Sequence, residues 1–146
     1  MSRVLPWVLL IAAVIVPARG FESKPAPAPA DETKPQRVFE MRTYYTNPGK
    51  MEDLHKRFRD HTCRIFKKHG MELIGFWTPQ EAKDGKGDKM TYILAFPSRE
   101  AAKKAWADFG ADPEWKKVYA ESHKNGVIVA KVESVFMDPT DYSPIQ

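Results

Sequence analysis

"VFEMRTYYTNPGKMEDLHKRFRDHTCRIFKKHGMELIGFW", Val38 to Trp77, changes its hydrophobic period twice, and those changes decide the fold. Val38 to Thr46 is rich in β-branched and aromatic residues and ends at the turn cluster "NPGK", so it reads as a strand. From Lys50 to Lys68 the apolar positions Met51, Leu54, Phe58 and Ile65 recur at three, four and seven residues, the spacing of an amphipathic helix. Glu52 and Asp53 lie in its first turn, Lys67 and Lys68 in its last, and Gly70 follows as a C-terminal cap. Met71 to Thr78 returns to strand composition and is stopped by Pro79.

Downstream the pattern repeats. "KMTYILAF" (89–96) is a third strand, joined to the second by a polar loop with two glycines that is expected to be a mobile hairpin. Ser98 caps a helix that runs through Phe109, with Ala101, Ala102, Ala105, Trp106 and Phe109 on one side. Asp112 is an N-cap and Pro113 suits the first position of a second helical piece, which runs to about Lys124. "GVIVAKVESVFM" (126–137) is the last strand, and a short tail follows.

The order β-α-β-β-α-β predicts an α+β, ferredoxin-like protomer: a four-stranded antiparallel sheet with helices on one face. Its other face must meet water or a partner. Val38, Glu40, Arg42 and Tyr44 on the first strand, and Val127, Val129, Lys131, Glu133 and Val135 on the last, mix charge with large apolar groups. We expect these two sets on a partly buried open face, with Glu40, Arg42, Lys131 and Glu133 pairing across strands, and sheet-to-sheet homodimerisation supplying the burial.

The rest of the chain is organised differently. In a sequence of 146 residues, 42% hydrophobic and 29% charged, the first twenty carry a short basic start, an apolar run from Val4 to Val16, and small residues at Ala18 and Gly20. That is the form of a signal peptide cleaved before Phe21, which predicts a periplasmic or secreted protein. An uncleaved membrane anchor is the alternative, though the apolar run falls short of the roughly 20 residues that a spanning helix needs. Residues 21–36, rich in alternating Pro and Ala, are expected to form a disordered linker, followed by a folded domain over 37–139 and a tail over 140–146. Without the leader's two arginines the formal charge of +4 falls to +2, with no basic stripe interleaved with aromatics, which argues against nucleic acid. Cys63 has no second cysteine to pair with, so disulfides do not hold the fold.

The 38–77 stretch, together with "FPSREAAKKAWADFGADPEWKKVYAES" further on, resembles the NIPSNAP family, a branch of the dimeric α/β-barrel superfamily. The resemblance spans Arg37 to about Pro139 and rests most specifically on "EMRTYYTNPGK" and "AWADFGADPEW". It implies a ferredoxin-like protomer whose sheet pairs with that of a second copy, but no agreed catalytic residues. Members of that family are described through membrane traffic, mitochondrial signalling or unknown function. Superfamily relatives include cofactor-free monooxygenases and haem-dependent enzymes, an analogy of fold that assigns no chemistry. The short apolar leader is unlike a mitochondrial transit peptide, so mitochondrial roles are not transferred.

Candidate site residues come mostly from "HTCRIFKKH" (61–69). At 100° per residue His61 falls at the edge of the apolar stripe, His69 lies within it and Cys63 points nearly opposite. The two histidines stand about 12 Å apart along the axis, so no metal site is expected. His61 is either a polar group satisfied between helix and sheet or an acid–base residue in a cleft. His69 suits the helix C-terminus, and His55 and His123 look solvated. Cys63, beside Arg64, reads as an inert thiol before a reactive one. Tyr44, Trp77, Tyr92 and Trp106, with Trp115, read as core and interface mass, or as the lining of a cavity that, with Arg42 and His61, holds a small planar hydrophobic ligand. The expected function is therefore a homodimeric ligand-binding or interaction module without a cofactor. The alternative is a cofactor-independent oxygenase or isomerase, with His61 as acid–base and Arg42 steadying an anion; haem on His61 or His69 is a third possibility.

Overall fold

A computed structural model describes residues 37–146, and the expected signal peptide and linker lie outside the described residues. Strands β1 (Val38–Thr46), β2 (Glu72–Trp77), β3 (Lys89–Phe96) and β4 (Val129–Met137) form one sheet in the order β2-β3-β1-β4, with every paired neighbour antiparallel. Helix α1 (Met51–Arg57) continues through a π-helical turn (Phe58–Thr62) into α2 (Cys63–Lys68), and α3 (Arg99–Ala111) and α4 (Pro113–Ser122) follow β3. This is the ferredoxin-like arrangement that the order of elements predicts.

Local chemistry sets the boundaries. Ser98 Oγ accepts from Ala101 N–H at 3.2 Å to start α3, and Asp112 Oδ1 accepts from Glu114 N–H at 2.7 Å to start α4. Gly70 closes α2 with φ +74°, in the left-handed region that an L side chain resists. The loop between β2 and β3 is more structured than its composition suggests: it holds a 3₁₀ turn at Ala82–Asp84, and Lys89 N–H returns to Gly85 C=O at 2.9 Å.

Helix and sheet enclose an aromatic core. Leu54, Ile65, Tyr92, Leu94, Ala102 and Ile128 are wholly buried, and Phe66 and Phe96 nearly so. Phe58 touches Tyr44, Phe66, Phe76 and Tyr92 at centroid distances of 5.9, 6.1, 5.7 and 5.4 Å, mostly edge-on. Each large side chain removed from water here contributes about 2 kcal/mol.

The faces of β1 correct one expectation. Register places Glu40 opposite Leu94 and Arg42 opposite Tyr92, both buried under the helices, so Glu40 and Arg42 point inward. Lys131 and Glu133 do lie on the open face, beside Tyr45 and Thr43. The four charges therefore form no cross-strand pairs. Each pair closes along its own strand, Arg42 Nη1 to Glu40 Oε1 at 2.8 Å and Lys131 Nζ to Glu133 Oε1 at 2.6 Å. Glu40 tolerates burial because its oxygens also accept from Trp106 Nε1 at 2.5 Å and Ser134 Oγ at 2.6 Å.

The open face carries Met41, Thr43, Ile74, Trp77, Thr91, Ile93 and Val135. The Trp77 ring lies over Gly75, where a Cβ would meet it at 2.5 Å, so only glycine admits the ring there. Beyond β4 the tail packs back on this face: Pro139 and Ile145 line a hollow with Phe39, Ile74, Ile93 and Met137.

Candidate functional site

The π-helical turn changes what "HTCRIFKKH" presents. Its extra residue appears where Cys63 N–H bonds Phe58 C=O, five residues back, and Thr62 Oγ1 covers the Arg57 carbonyl at 3.2 Å. Beyond Phe58 the angular register therefore shifts by about one residue. Thr62 is buried where His61 was expected, and His61 is exposed. Cys63, expected to point away from the core, is half-buried and packs against it. Burial pushes its thiol above the ordinary value, which favours the inert reading.

His69 has a specific partner that a helix-terminus account misses. Its Nε2 lies 2.6 Å from Asp112 Oδ2, which also accepts from Lys68 Nζ at 2.8 Å. Asp112 thereby fastens the end of α2 to the start of α4. The bonds from Lys68 and His69 and the α4 N–H hold its carboxyl well below the usual carboxylate range. His61 and His69 thus face different surroundings, and among the described residues no group of three His, Cys, Asp or Glu side chains is placed to hold a metal. His123 is half-buried, with Nδ1 2.7 Å from the Tyr119 carbonyl, rather than solvated.

The aromatic candidates do not surround one cavity. Tyr92 is fully buried in the core and donates to Tyr44 Oη at 3.0 Å, and burial raises its phenol well above the ordinary value. Trp106 covers the Arg42 guanidinium at 4.2 Å, and Trp77 is 53% exposed at the other side of the sheet. Arg42, bound to Glu40 beneath Trp106, is not among the groups lining the cleft that contains His61. The space below the helix is filled by Phe58, Ile65, Phe66 and Tyr92, and the hollow of about 270 Å³ that remains at its edge, beside Phe58, Cys63, Phe76 and Trp77, contains neither His61 nor Arg42.

The cleft that His61 does line opens on the outer flank of the helix. Asp53, Lys56, Arg57, Asp60 and His61 form one wall, Glu114 to Ser122 of α4 the other, and Asn125 and Ile128 the floor, enclosing about 470 Å³. That volume suits a small organic ligand. Four carboxylates stand on its rim, each already paired: Asp53 with Lys50, Asp60 with Lys56, Glu114 with Arg64 and Glu121 with Lys124.

Arg57, which the sequence did not single out, is the unusual member. It is 5% exposed and ends α1 against the neighbouring rings of Trp115 and Tyr119, 5.5 and 6.0 Å from their centroids. Among the described residues its side-chain bonding is limited to Nη1 on Ser122 Oγ at 3.3 Å, and its buried Nε has no partner. Burial pulls the guanidinium below its ordinary value, and no carboxylate counters the effect. One signal for it exists in the sequence: Arg57 stands three residues after Leu54, on the flank of the apolar stripe, where a charged side chain needs a reason.

These features can be set beside known proteins. A family model described as NIPSNAP matches residues 39–144. A NIPSNAP family protein of unknown function from Agrobacterium tumefaciens is similar at 25% identity and a TM-score of 0.66, over 77% of this chain and 96% of that one. An uncharacterized NIPSNAP domain protein from Burkholderia xenovorans is similar at 24% identity and a TM-score of 0.62, over 73% and 98%. SnoaB, a cofactor-independent oxygenase from Streptomyces nogalater, shares the fold at 13% identity and a TM-score of 0.51, over 75% and 98%. No curated protein matches the chain. With the fold and a match over most of its length in agreement, the chain belongs to the NIPSNAP family.

Proposed function

We propose that this protein is an exported, homodimeric small-ligand-binding module. The observation that carries the reading is the contrast between the two flanks of the first helix. The flank toward the sheet is filled by Phe58, Ile65, Phe66 and Tyr92 except for a hollow of about 270 Å³ where Phe58 and Cys63 meet Phe76 and Met90, and the outer flank holds a larger open cleft of about 470 Å³ that reaches His61. An oxygenase that used His61 with Arg42 would need both groups around one enclosed apolar cavity. Their separate settings favour binding over that chemistry.

Part of the open sheet face supports the dimer reading, beside the charged pair Lys131 and Glu133. Ile74, Trp77, Ile93, Met41 and Val135 form an apolar strip, and the Thr43–Thr91 hydroxyl pair at 3.1 Å adds little polarity. A second copy of this chain would bury it as the two sheets of a barrel. Export rests on the apolar leader before Phe21.

Native mass spectrometry of the purified protein tests the reading. A dimer mass carrying a small molecule, from chains that begin at Phe21, is the expected result. A monomer at micromolar concentration removes the barrel. An unoccupied protein that also binds nothing from a small-molecule panel removes the ligand-binding module.

A further inference from the structure

Arg57 poses a problem of charge. A guanidinium stays ionised at any physiological pH, and burying it without a counter-ion is unfavourable unless something completes its environment. Its neighbours do so only in part: two aromatic faces, one serine hydroxyl and no acid. The rim carboxylates are held instead by Lys50, Lys56, Arg64 and Lys124. Lys117, also in the cleft, forms no ion pair among the described residues.

We propose that the cleft between the π-helical turn and α4 binds a small monocarboxylate with an apolar body. Its carboxylate is received by Arg57, helped by Ser122 and Asn125, and its body lies on Val118 and Ile128. The proposal rests on the ligand-binding reading above and gives that site its substrate class. A guanidinium, planar by resonance, matches a carboxylate in two-point geometry. Phosphate offers similar oxygens but carries up to twice the charge, so the paired carboxylates of Asp53, Asp60, Glu114 and Glu121 oppose it more than they oppose a monocarboxylate. A single negative charge is met by Arg57 and Lys117, and the side chains of Val118 and Ile128 reward a hydrocarbon chain over a bare anion. The extra residue of the π turn contributes as well, because it moves His61 outward to the mouth of the cleft and keeps the Arg57 carbonyl occupied by Thr62.

The test is a titration of the whole protein with hexanoate, hexanamide and inorganic phosphate. It is followed by the Nε–H resonance of Arg57 and the methyl signals of Val118 and Ile128. Hexanoate is expected to shift all three, hexanamide to bind at least about tenfold more weakly, and phosphate to leave Arg57 unmoved. The wild-type spectrum decides the matter without any variant. In Arg57→Met the hexanoate shifts of Val118 and Ile128 are expected to disappear. If hexanamide binds as well as hexanoate, the cleft is a ligand site but the anion proposal is overturned. Phosphate shifting Arg57 as strongly as hexanoate overturns the carboxylate class. If no probe moves any of the signals, both the proposal and the location of the binding site fall.

Discussion

Two buried charges, Glu40 under α3 and Arg57 under α4, differ in how fully the fold answers them. Glu40 is 1% exposed, and its two oxygens accept three hydrogen bonds, from Arg42, Ser134 and Trp106, which come from two strands and a helix. Arg57 is 5% exposed and has one long bond to a serine and a bare Nε. A charge whose partners are all supplied from within the chain is part of the structure; one left short of partners beside an open cleft awaits something from outside. The guanidiniums differ in their acids and not in their Nε atoms, which lack a partner in Arg42 and Arg57 alike. Burial opposes the charged form of Arg42, yet Tyr92, Tyr44 and Glu40 hold it above its ordinary value, and Arg57 has no acid to do so.

This contrast can be broken most forcefully at Glu40. Glu40→Gln keeps the shape but leaves Arg42 without its counter-ion, and should destabilise the fold by about 3 kcal/mol, seen as a lower urea midpoint. A loss below about 1 kcal/mol would mean that water already reaches the pair. Trp106→Phe keeps most of the packing over Arg42 and removes one bond to a buried carboxylate; about 2 kcal/mol is expected in the same assay.

A gentler test concerns Asp112, whose role is as complete as that of Glu40. Its folded-state pKa is depressed, so the unfolded chain takes up the proton more readily, and stability rises with pH through this group. Its contribution is present above the ordinary carboxylate range and is lost as pH falls toward the folded value. Asp112→Asn keeps a capping oxygen without the charge. The urea midpoint of the wild type should exceed that of the variant near pH 6, with the gap narrowing as the pH falls below the ordinary carboxylate range. A gap that stays constant across that range would remove the charge from the account. His61→Ala sits lower still: the residue is exposed, and a change within about 0.5 kcal/mol is expected.

Much of the fold was legible because it is written in local chemistry. The strand-to-helix turn at "NPGK", the caps at Ser98 and Asp112, the proline at Pro113 and the glycine at Gly70 each act on adjacent backbone groups. What escaped depends on groups distant in sequence. Glu40 looked like a residue for the open face because its partners Trp106 and Ser134 lie 66 and 94 residues away. The π turn left no mark in the hydrophobic spacing, and the single residue it adds moved His61, Thr62 and Cys63 to new settings. Arg57 was hidden for the same reason: α4 buries it, and α4 is placed by tertiary packing.

The most direct measurement is the urea stability of Arg57→Met against the wild type. Methionine fills similar space against Trp115 and Tyr119 without a charge to bury. If Arg57 is held ready for a ligand, the unliganded variant should be as stable as the wild type or more so, by up to about 1 kcal/mol. A loss of more than about 2 kcal/mol would show that the guanidinium is already satisfied within the fold, as Glu40 is, and would contradict the account.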